Sequence, residues 1–211
     1  MKSEQKLLKA RYWRIVVALV LTITLCTSLQ PIFSRAASEI PLNVPQGFRV
    51  ETITSNLELP TTFAFAPDGR IFIAEKAGRV KIWKDGVLYA RPLIDLRDEV
   101  NSFVDRGLIG MALDPNFAQN GWLYLIYAWD APGEAKDADE PRRSRLVRYT
   151  VEGDVVKPNS AYVLLDDHWN YTQNHSVGTL KFDNRGRLWV SLGEGALSAM
   201  PDKLALTALD V

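Results

Sequence analysis

The sequence has few of the residues that usually carry metal, redox or disulfide chemistry. Its 211 residues include one cysteine and two histidines, His168 and His175. No Cys/His spacing of a metal site and no glycine-rich phosphate loop is found. Net charge is also missing, because 25 basic side chains balance 25 acidic ones. The balanced charge therefore gives no indication of a nucleic-acid partner. Any catalytic histidine must be His168 or His175.

The N-terminus, in contrast, is organised as a targeting segment. Basic residues precede an uncharged apolar run of 15 residues, Ile15 to Leu29. A membrane-spanning helix needs about 20 residues, and Ser34-Arg35-Ala36 offers small residues to a signal peptidase. We therefore predict that residues 1–36 form a signal peptide and that the protein is exported, to the periplasm or the cell exterior. Retention of the segment as a membrane anchor is the alternative.

Cleavage after Ala36 would remove Cys26, the only cysteine. The mature domain, residues 37–211, would then be exported without a disulfide to stabilise it. Hydrophobic residues make up 47% of the chain, which is long enough to bury a sizeable core. The stability of the domain must come from that core.

From Ile40 onward the pattern is one of short strands joined by tight turns. A hairpin is predicted where Pro67-Asp68-Gly69 separates two apolar segments. The predicted strands of this first unit are Thr62–Ala66, Arg70–Ala74 and Arg79–Trp83, with an outer strand within Val87–Leu96. Four short antiparallel strands joined in this way make one blade of a β-propeller.

The same unit recurs twice, with a period of roughly 40–50 residues apart from one insertion. Its second copy comprises Leu108–Leu113, Trp122–Tyr127, Leu146–Thr150 and Tyr162–Leu165, and its third begins with the hairpin from Val177 to Leu192. The insertion, Asp130 to Arg145, is rich in charge, proline and glycine. It is either a solvated loop or a loop that shapes a binding site on one face of a propeller. The nearest candidate for a helix is Asp202 to Leu209.

These units predict an all-β fold. We favour a β-propeller over a β-sandwich, because the repeated unit is a hairpin followed by outer strands and most strands are apolar on both faces. Propellers close with about 4–8 blades, whereas this sequence holds about two and a half to three. We therefore expect the N-terminal part of a larger propeller. A three-blade module that closes by association is the alternative.

The third hairpin contains a suggestive pair of polar residues. If its turn is symmetric about Asn184-Arg185, His175 faces Glu194 across the two strands, with Cβ atoms about 4.5–5.5 Å apart. A carboxylate there would orient the imidazole and raise its basicity, as a general base requires. A bulge at Gly186 would instead put the two residues on opposite faces. A hydrogen-bonded structural histidine and a turn role for Glu194 are the alternatives.

Three ordered segments resemble those of the soluble glucose/sorbosone dehydrogenases that use pyrroloquinoline quinone (PQQ). The segments are Phe63–Lys76, Asp105–Phe117 and the stretch from Asn174 to Gly195. The resemblance runs from about Pro45 to the end of the sequence and covers roughly the N-terminal half of such a domain. It implies a six-bladed propeller, an exported bacterial enzyme with PQQ and calcium, a sugar substrate and an external electron acceptor.

The resemblance also implies roles for individual residues. His175 would be the general base that takes the proton of the sugar's anomeric hydroxyl while hydride passes to PQQ, and Glu194 would hold that histidine. Asn174 and Asp105 fall at or near positions that contact substrate or cofactor, where the family's glucose enzyme has Asp and Gln. Because this sequence differs from the glucose enzyme at both positions, the resemblance does not identify the sugar substrate. The basic residues that hold the quinone and the calcium ligands would lie beyond Val211, so this chain alone should not turn over.

Two function classes therefore remain open. The first is a PQQ-dependent enzyme that oxidises an aldose-type sugar to its lactone. The second is a non-catalytic extracellular propeller that binds carbohydrate or protein. The pairing of His175 with an acidic residue favours the enzyme. For Asp105 and Arg106 the alternative to a binding role is a surface ion pair, which contributes little stability.

Overall fold

The computed structural model describes residues 43–193 and the backbone of residues 206–210. The predicted signal segment with Cys26 and the candidate acid Glu194 lie outside the described residues. The chain divides into two compact units, Met1–Glu51 and Thr52–Val211. In the first unit the described residues are exposed and irregular. No helix within the described ranges is long and apolar enough to span a membrane.

Blade 1 is an antiparallel sheet of five short strands. They are β1 (Pro60–Phe65), β2 (Ile71–Glu75), β3 (Arg79–Lys84), β4 (Val87–Leu88) and β5 (Ile94–Asp95). The order is β1-β2-β3-β4, and β5 also pairs with β3. The single outer strand expected between residues 87 and 96 is therefore two short pieces that share one partner.

Blade 2 is the largest sheet. It consists of β6 (Leu108–Leu113), a one-turn helix α1 (Phe117–Asn120), β7 (Trp122–Trp129), β8 (Arg142–Glu152), β9 (Val155–Val156) and β10 (Tyr162–Asn170). The strand order is β6-β7-β8-β10, with β9 paired to β8. Of the predicted insertion, residues 130–141 lie between β7 and β8, whereas Arg142–Arg145 are the first residues of β8. All of β7 pairs with β8, from Trp122 opposite Thr150 to Trp129 opposite Arg143.

Blade 3 contains β11 (Val177–Phe182), β12 (Arg187–Leu192) and β13 (Leu206–Asp210). The third strand pairs with β12, from Leu206 opposite Ser191 to Asp210 opposite Arg187. The candidate helix over Asp202–Leu209 is therefore wrong for Leu206–Leu209. A short apolar stretch does not distinguish helix from strand by itself, and here the open edge of β12 supplies backbone partners.

A repeated aspartate turn explains why the three units are visible in the sequence. In each inner hairpin an aspartate Oδ1 accepts the backbone N–H two residues further on. The pairs are Asp68 with Arg70 (3.1 Å), Asp114 with Asn116 (2.8 Å) and Asp183 with Arg185 (2.8 Å). Such a turn is closed by its own side chain, so its signal is local.

Two apolar clusters join the blades. The first packs blade 1 against blade 2 and includes Phe72, Val80, Ile82, Leu123, Leu125 and Val147. The second packs blade 2 against blade 3 and includes Tyr124, Ile126, Leu146, Leu180, Leu188 and Val190. Blade 2 is thus covered on both faces, as its sequence predicts.

The first strands of the three blades lie side by side. β1 contacts β6, and β6 contacts β11. A Cβ atom on Gly110 of β6 would come within 2.5 Å of the carbonyl oxygen of Gly178 in β11, so glycine permits this approach. Inner strands that follow one another around an axis are the arrangement of a propeller and not of a sandwich. The predicted propeller is confirmed.

Candidate functional site

The strand pairing next to the third turn is shifted by one residue from the predicted register. Phe182 pairs with Leu188 and Leu180 with Val190, which centres the turn on Arg185. Gly186 has φ +78°, the left-handed conformation that such a turn requires. The turn symmetric about Asn184-Arg185 is therefore wrong, and the shift of one residue foreseen at Gly186 occurs.

A second irregularity in the same hairpin reverses this shift. Val177 pairs with Leu192, so the register changes between Val177 and Leu180. The Ser191 hydroxyl accepts the N–H of Thr179 at 2.7 Å inside this irregular segment. Beyond Val177 and Leu192 the register is again the one that would place position 194 opposite His175. The pairing of His175 with Glu194 itself remains a prediction.

His175 lies in the loop between β10 and β11, with its side chain exposed. Its φ of +50° is left-handed, a conformation in which histidine is enriched over most residues. The N–H of Gly193 donates to the carbonyl of Ser176 at 2.6 Å, and a Cβ on Gly193 would overlap the His175 carbonyl. The backbone of His175 is thus fixed against the end of β12. The other histidine, His168, is buried within β10.

The loops that carry Asn174 and Asp105 meet at one end of the blades. Asn174 is half-buried, and its N–H donates to Thr172 Oγ1 at 3.3 Å. Asp105 is exposed in the turn before β6 that the N–H of Arg106 closes on the carbonyl of Phe103. Because β6 and β11 are neighbouring inner strands, the segments that precede them emerge at the same end. The structure brings the two loops together, while their roles in binding remain predictions.

Arg106 contradicts the interpretation of Asp105-Arg106 as a surface ion pair. Its side chain is fully buried, and Nη2 donates to the carbonyls of Thr172 (2.9 Å) and Asn170 (3.4 Å). Nη1 donates to the carbonyl of Ala138 at 3.2 Å. Burial, followed by the charge of Arg142, lowers the pKa of Arg106. Sequence reasoning missed this residue, because no local pattern shows that three distant carbonyls converge on it.

The insertion is not simply a solvated loop. Its two ends are joined by a buried ion pair, in which Arg142 Nε donates to Asp130 Oδ1 at 2.7 Å. The amide of Asn101 donates to the same oxygen at 2.8 Å. Burial raises the pKa of Asp130, but the N–H of Asp137 and the Arg142 and Asn101 donors outweigh it, so the net pKa lies below its usual value.

The insertion also borders the candidate site. The Gln173 carboxamide, oriented with its nitrogen towards Asp139, donates to that carboxylate. Gln173 is the immediate neighbour of Asn174, and Asp139 belongs to the insertion. Three segments therefore converge, namely residues 101–107, 130–142 and 170–176. This fits the second expectation for the insertion, a loop on the face that carries the site.

Within the described residues the site is better suited to proton transfer than to holding a metal. His175 offers an exposed imidazole and Asn174 an amide beside it. No group of three or more His, Cys, Asp or Glu side chains that could hold a metal ion occurs in residues 43–193. The Arg106 guanidinium is buried and bound to carbonyls, so it is not presented to an anionic ligand.

Comparisons with known proteins agree with the fold. Aldose sugar dehydrogenase YliI of Escherichia coli is 28% identical over 153 residues, 71% of this chain and 39% of that protein. Quinoprotein glucose dehydrogenase B of Acinetobacter calcoaceticus is 26% identical over 141 residues, 63% of this chain and 29% of that protein. Mouse Hedgehog-interacting protein is 32% identical over 159 residues, 71% of this chain and 22% of that protein.

A solved structure shows the same partial match. An oxidoreductase of the glucose dehydrogenase type from Thermus thermophilus superposes with a TM-score of 0.56 and 32% identity, over 70% of this chain and 40% of that one. The chain thus spans less than half the length of each of these proteins. The family model for Glucose / Sorbosone dehydrogenase matches residues 57–207. The chain therefore belongs to the PQQ glucose/sorbosone dehydrogenase family, and its three sheets are blades of that family's propeller.

Proposed function

We propose that this chain is the N-terminal part of an exported, PQQ-dependent dehydrogenase that oxidises an aldose-type sugar to its lactone. The observation that carries the proposal is the exposed side chain of His175 just before an inner strand, on a backbone that Gly193 approaches closely. In the proposed reaction His175 accepts the proton of the anomeric hydroxyl, and Glu194 orients its ring.

The family's cofactor fits this chain in part. PQQ, when bound, supplies a hydride acceptor, and an external acceptor then takes the electrons. The chain's own contribution is the proton acceptor His175, with Asn174 and Asp105 as polar contacts. No group of three or more His, Cys, Asp or Glu side chains that could hold a metal ion occurs in the described residues, and we assign no step to calcium here.

The decisive experiment is an assay of the full-length reading frame with PQQ and calcium. Dye reduction should be measured with several aldoses, alongside circular dichroism to show that the protein is folded. Turnover with at least one aldose is expected. A folded protein that reduces no dye with any sugar would contradict the enzyme assignment.

The role of His175 is tested by a pair of variants. His175→Ala should lower kcat by about 10²–10⁴-fold, the usual contribution of general base catalysis, while PQQ affinity is retained. His168→Gln is the matched control, because it removes the other histidine, which is buried in β10, and it should keep kcat near the wild-type value. A near-normal rate for His175→Ala would remove it as the base.

The second candidate function is a non-catalytic extracellular propeller that binds a protein or carbohydrate. It is supported by the Hedgehog-interacting protein, whose name states a protein partner and whose identity of 32% equals that of the Thermus thermophilus oxidoreductase. The two candidates differ in one outcome. A binding propeller would be folded but would reduce no dye with PQQ and calcium. The His175→Ala variant of such a protein would bind its partner as the wild type does.

A further inference from the structure

The environment of Arg106 is unusual for a buried cation. Its side chain is 0% exposed, and no carboxylate of the described residues forms an ion pair with it, although the charges of Asp139 and Asp130 act on it from a greater distance. Its Nε atom also has no hydrogen-bond partner in the part of the chain that the structure describes. Burying a charge without an opposite charge costs stability, and an apolar side chain of similar volume is often tolerated better. Fold stability alone therefore does not account for an arginine at this position.

The groups that Arg106 does bind belong to two different segments. Nη1 contacts the carbonyl of Ala138 in the insertion, and Nη2 contacts the carbonyls of Asn170 and Thr172. Asn170 ends β10, and Thr172 lies three residues before His175. A planar guanidinium can serve such divergent acceptors at once, whereas a lysine ammonium is a single point of charge. One side chain thus joins the insertion to the segment that carries the candidate base.

Other contacts of that segment, among the described residues, are also made to blade 2. The Asn170 amide donates to Ser144 Oγ at 2.8 Å, and the Gln173 amide donates to Asp139. The Asn174 N–H donates to Thr172 Oγ1 within the segment itself. Arg106 adds a contact from the segment before β6 to the carbonyls of residues 170 and 172, beside the strand pairing of Asn170 with Arg142. It thereby ties residues 170–172 to the loop that precedes β6, which the strand pairing does not.

We infer that Arg106 is a positioning residue that fixes residues 170–176, and with them the imidazole of His175, relative to the inner strand β6. The inference rests on the proposed function of His175. Arg106 itself takes no part in the proposed proton transfer. It accounts for a buried guanidinium whose acceptors are all backbone carbonyls. Replacing the guanidinium by an ammonium keeps the charge but loses the fork that reaches both segments.

The first test is hydrogen exchange of the full-length protein in the wild type and in Arg106→Lys. Amides in peptides that cover residues 170–176 should exchange at least about tenfold faster in the variant, since local opening there becomes easier. Peptides from β7 should exchange at the wild-type rate. Unchanged exchange in residues 170–176 would overturn the inference.

Arg70→Lys is the matched control. Arg70 is also buried, at 8% exposure, and donates to the Gly153 carbonyl and to Asp154 at the opposite end of the blades. The control should lower stability without accelerating exchange in residues 170–176. Equal acceleration in both variants would mean that the effect is a general loss of stability, and it would also overturn the inference.

The second readout is the division between kcat and KM. A displaced base should lower kcat by about 10²-fold, the effect of a shift near 1 Å, with little change in KM. A kcat equal to that of Arg70→Lys would contradict a positioning role. Faster exchange in Arg106→Lys together with an inactive wild type would contradict only the proposed function, because exchange does not require turnover.

Discussion

Gly193 is a single residue on which the backbone of His175 depends. Its φ is not left-handed, so the restriction comes from contact: a Cβ there would overlap the His175 carbonyl and lie 2.9 Å from that of Ser176. Gly193→Ala should lower the free energy of unfolding by about 1–3 kcal/mol, as overpacking usually does. It should also move the His175 ring signals in NMR spectra.

Gly133→Ala is the control for this substitution. Gly133 is exposed and has φ +90°, and a Cβ added there would meet no heavy atom within 4 Å. Alanine there costs about 1–2 kcal/mol through its left-handed backbone but should leave the His175 signals unchanged. If Gly193→Ala also left them unchanged, the close approach of the two segments would be disproved.

The carboxylate of Asp183 makes the stability of blade 3 depend on pH. The indole N–H of Trp189 (3.0 Å) and the backbone N–H groups of Arg187 and Arg185 lower the pKa of Asp183 well below its usual range. A carboxyl with a lowered folded-state pKa contributes stability above its unfolded pKa, about 3.9, and loses it as the pH falls further. Between pH 5 and pH 3 the wild type should therefore lose more stability than Asp183→Asn.

Urea unfolding followed by tryptophan fluorescence measures this difference. The midpoints of wild type and Asp183→Asn should lie further apart at pH 5 than at pH 3. Midpoints that fall in parallel over this range would show that the Asp183 charge does not stabilise the hairpin.

The insertion is an element that contains a buried ion pair. Asp130 and Arg142 are both nearly inaccessible, with side-chain exposures of 3% and 2%. Asp130→Asn should lower the free energy of unfolding by up to about 3–5 kcal/mol, because it removes the buried carboxylate at 2.7 Å and leaves Arg142 only the longer contacts to Glu134 (3.5 Å) and Glu140 (3.4 Å). Asp95→Asn removes the partner of Arg97 at the surface and should cost no more than about 1 kcal/mol. Chemical unfolding of both variants tests this, and equal losses would contradict it.

The elements themselves were predictable to the extent that their signals are local. The strands of blades 1 and 2 follow from alternating apolar residues and from aspartate turns that close on their own backbone. Beside the third turn the symmetric register was wrong by one residue and the alternative, a shift at Gly186, was right, because Gly186 takes a left-handed conformation. The strand over Leu206–Asp210 was missed because its partner, β12, decides its conformation.

The candidate site was predictable only in part, for a related reason. Position 175 stands out because histidine is rare in this sequence and precedes a strand. Arg106 and the buried ends of the insertion gave no signal, since their partners lie 12 to 66 residues away along the chain. Contacts at such separations are set by the packing of blades and not by neighbouring residues.

The molecule as a whole exposes an aromatic pair on its first strand. Phe63 and Phe65 are 61% and 70% exposed, with ring centroids 5.5 Å apart. Ala64, between them, packs on the opposite face against the cluster shared with blade 2. Contiguous exposed apolar surface promotes association, so residues 37–211 expressed alone should self-associate and bind a hydrophobic dye more than the full-length protein does.

Variants locate the surface responsible. The double change Phe63→Ser and Phe65→Ser should reduce both association in sedimentation experiments and dye binding. Val87→Ser, which replaces an apolar residue 56% exposed on β4, should leave both unchanged. A monomeric fragment that binds no dye would contradict the prediction.

The carbonyl contacts of Arg106 limit how such a propeller can be rebuilt from parts. Blades are attractive modules for recombination, yet this arginine precedes β6 while its acceptors Asn170 and Thr172 lead into β11. In a chimera that takes the third hairpin from a relative and keeps the native second blade, the base would come from the relative. The residues that support it, Arg106 among them, would come from this protein and would not match it. Grafts that transfer residues 101–193 as one block would preserve that support.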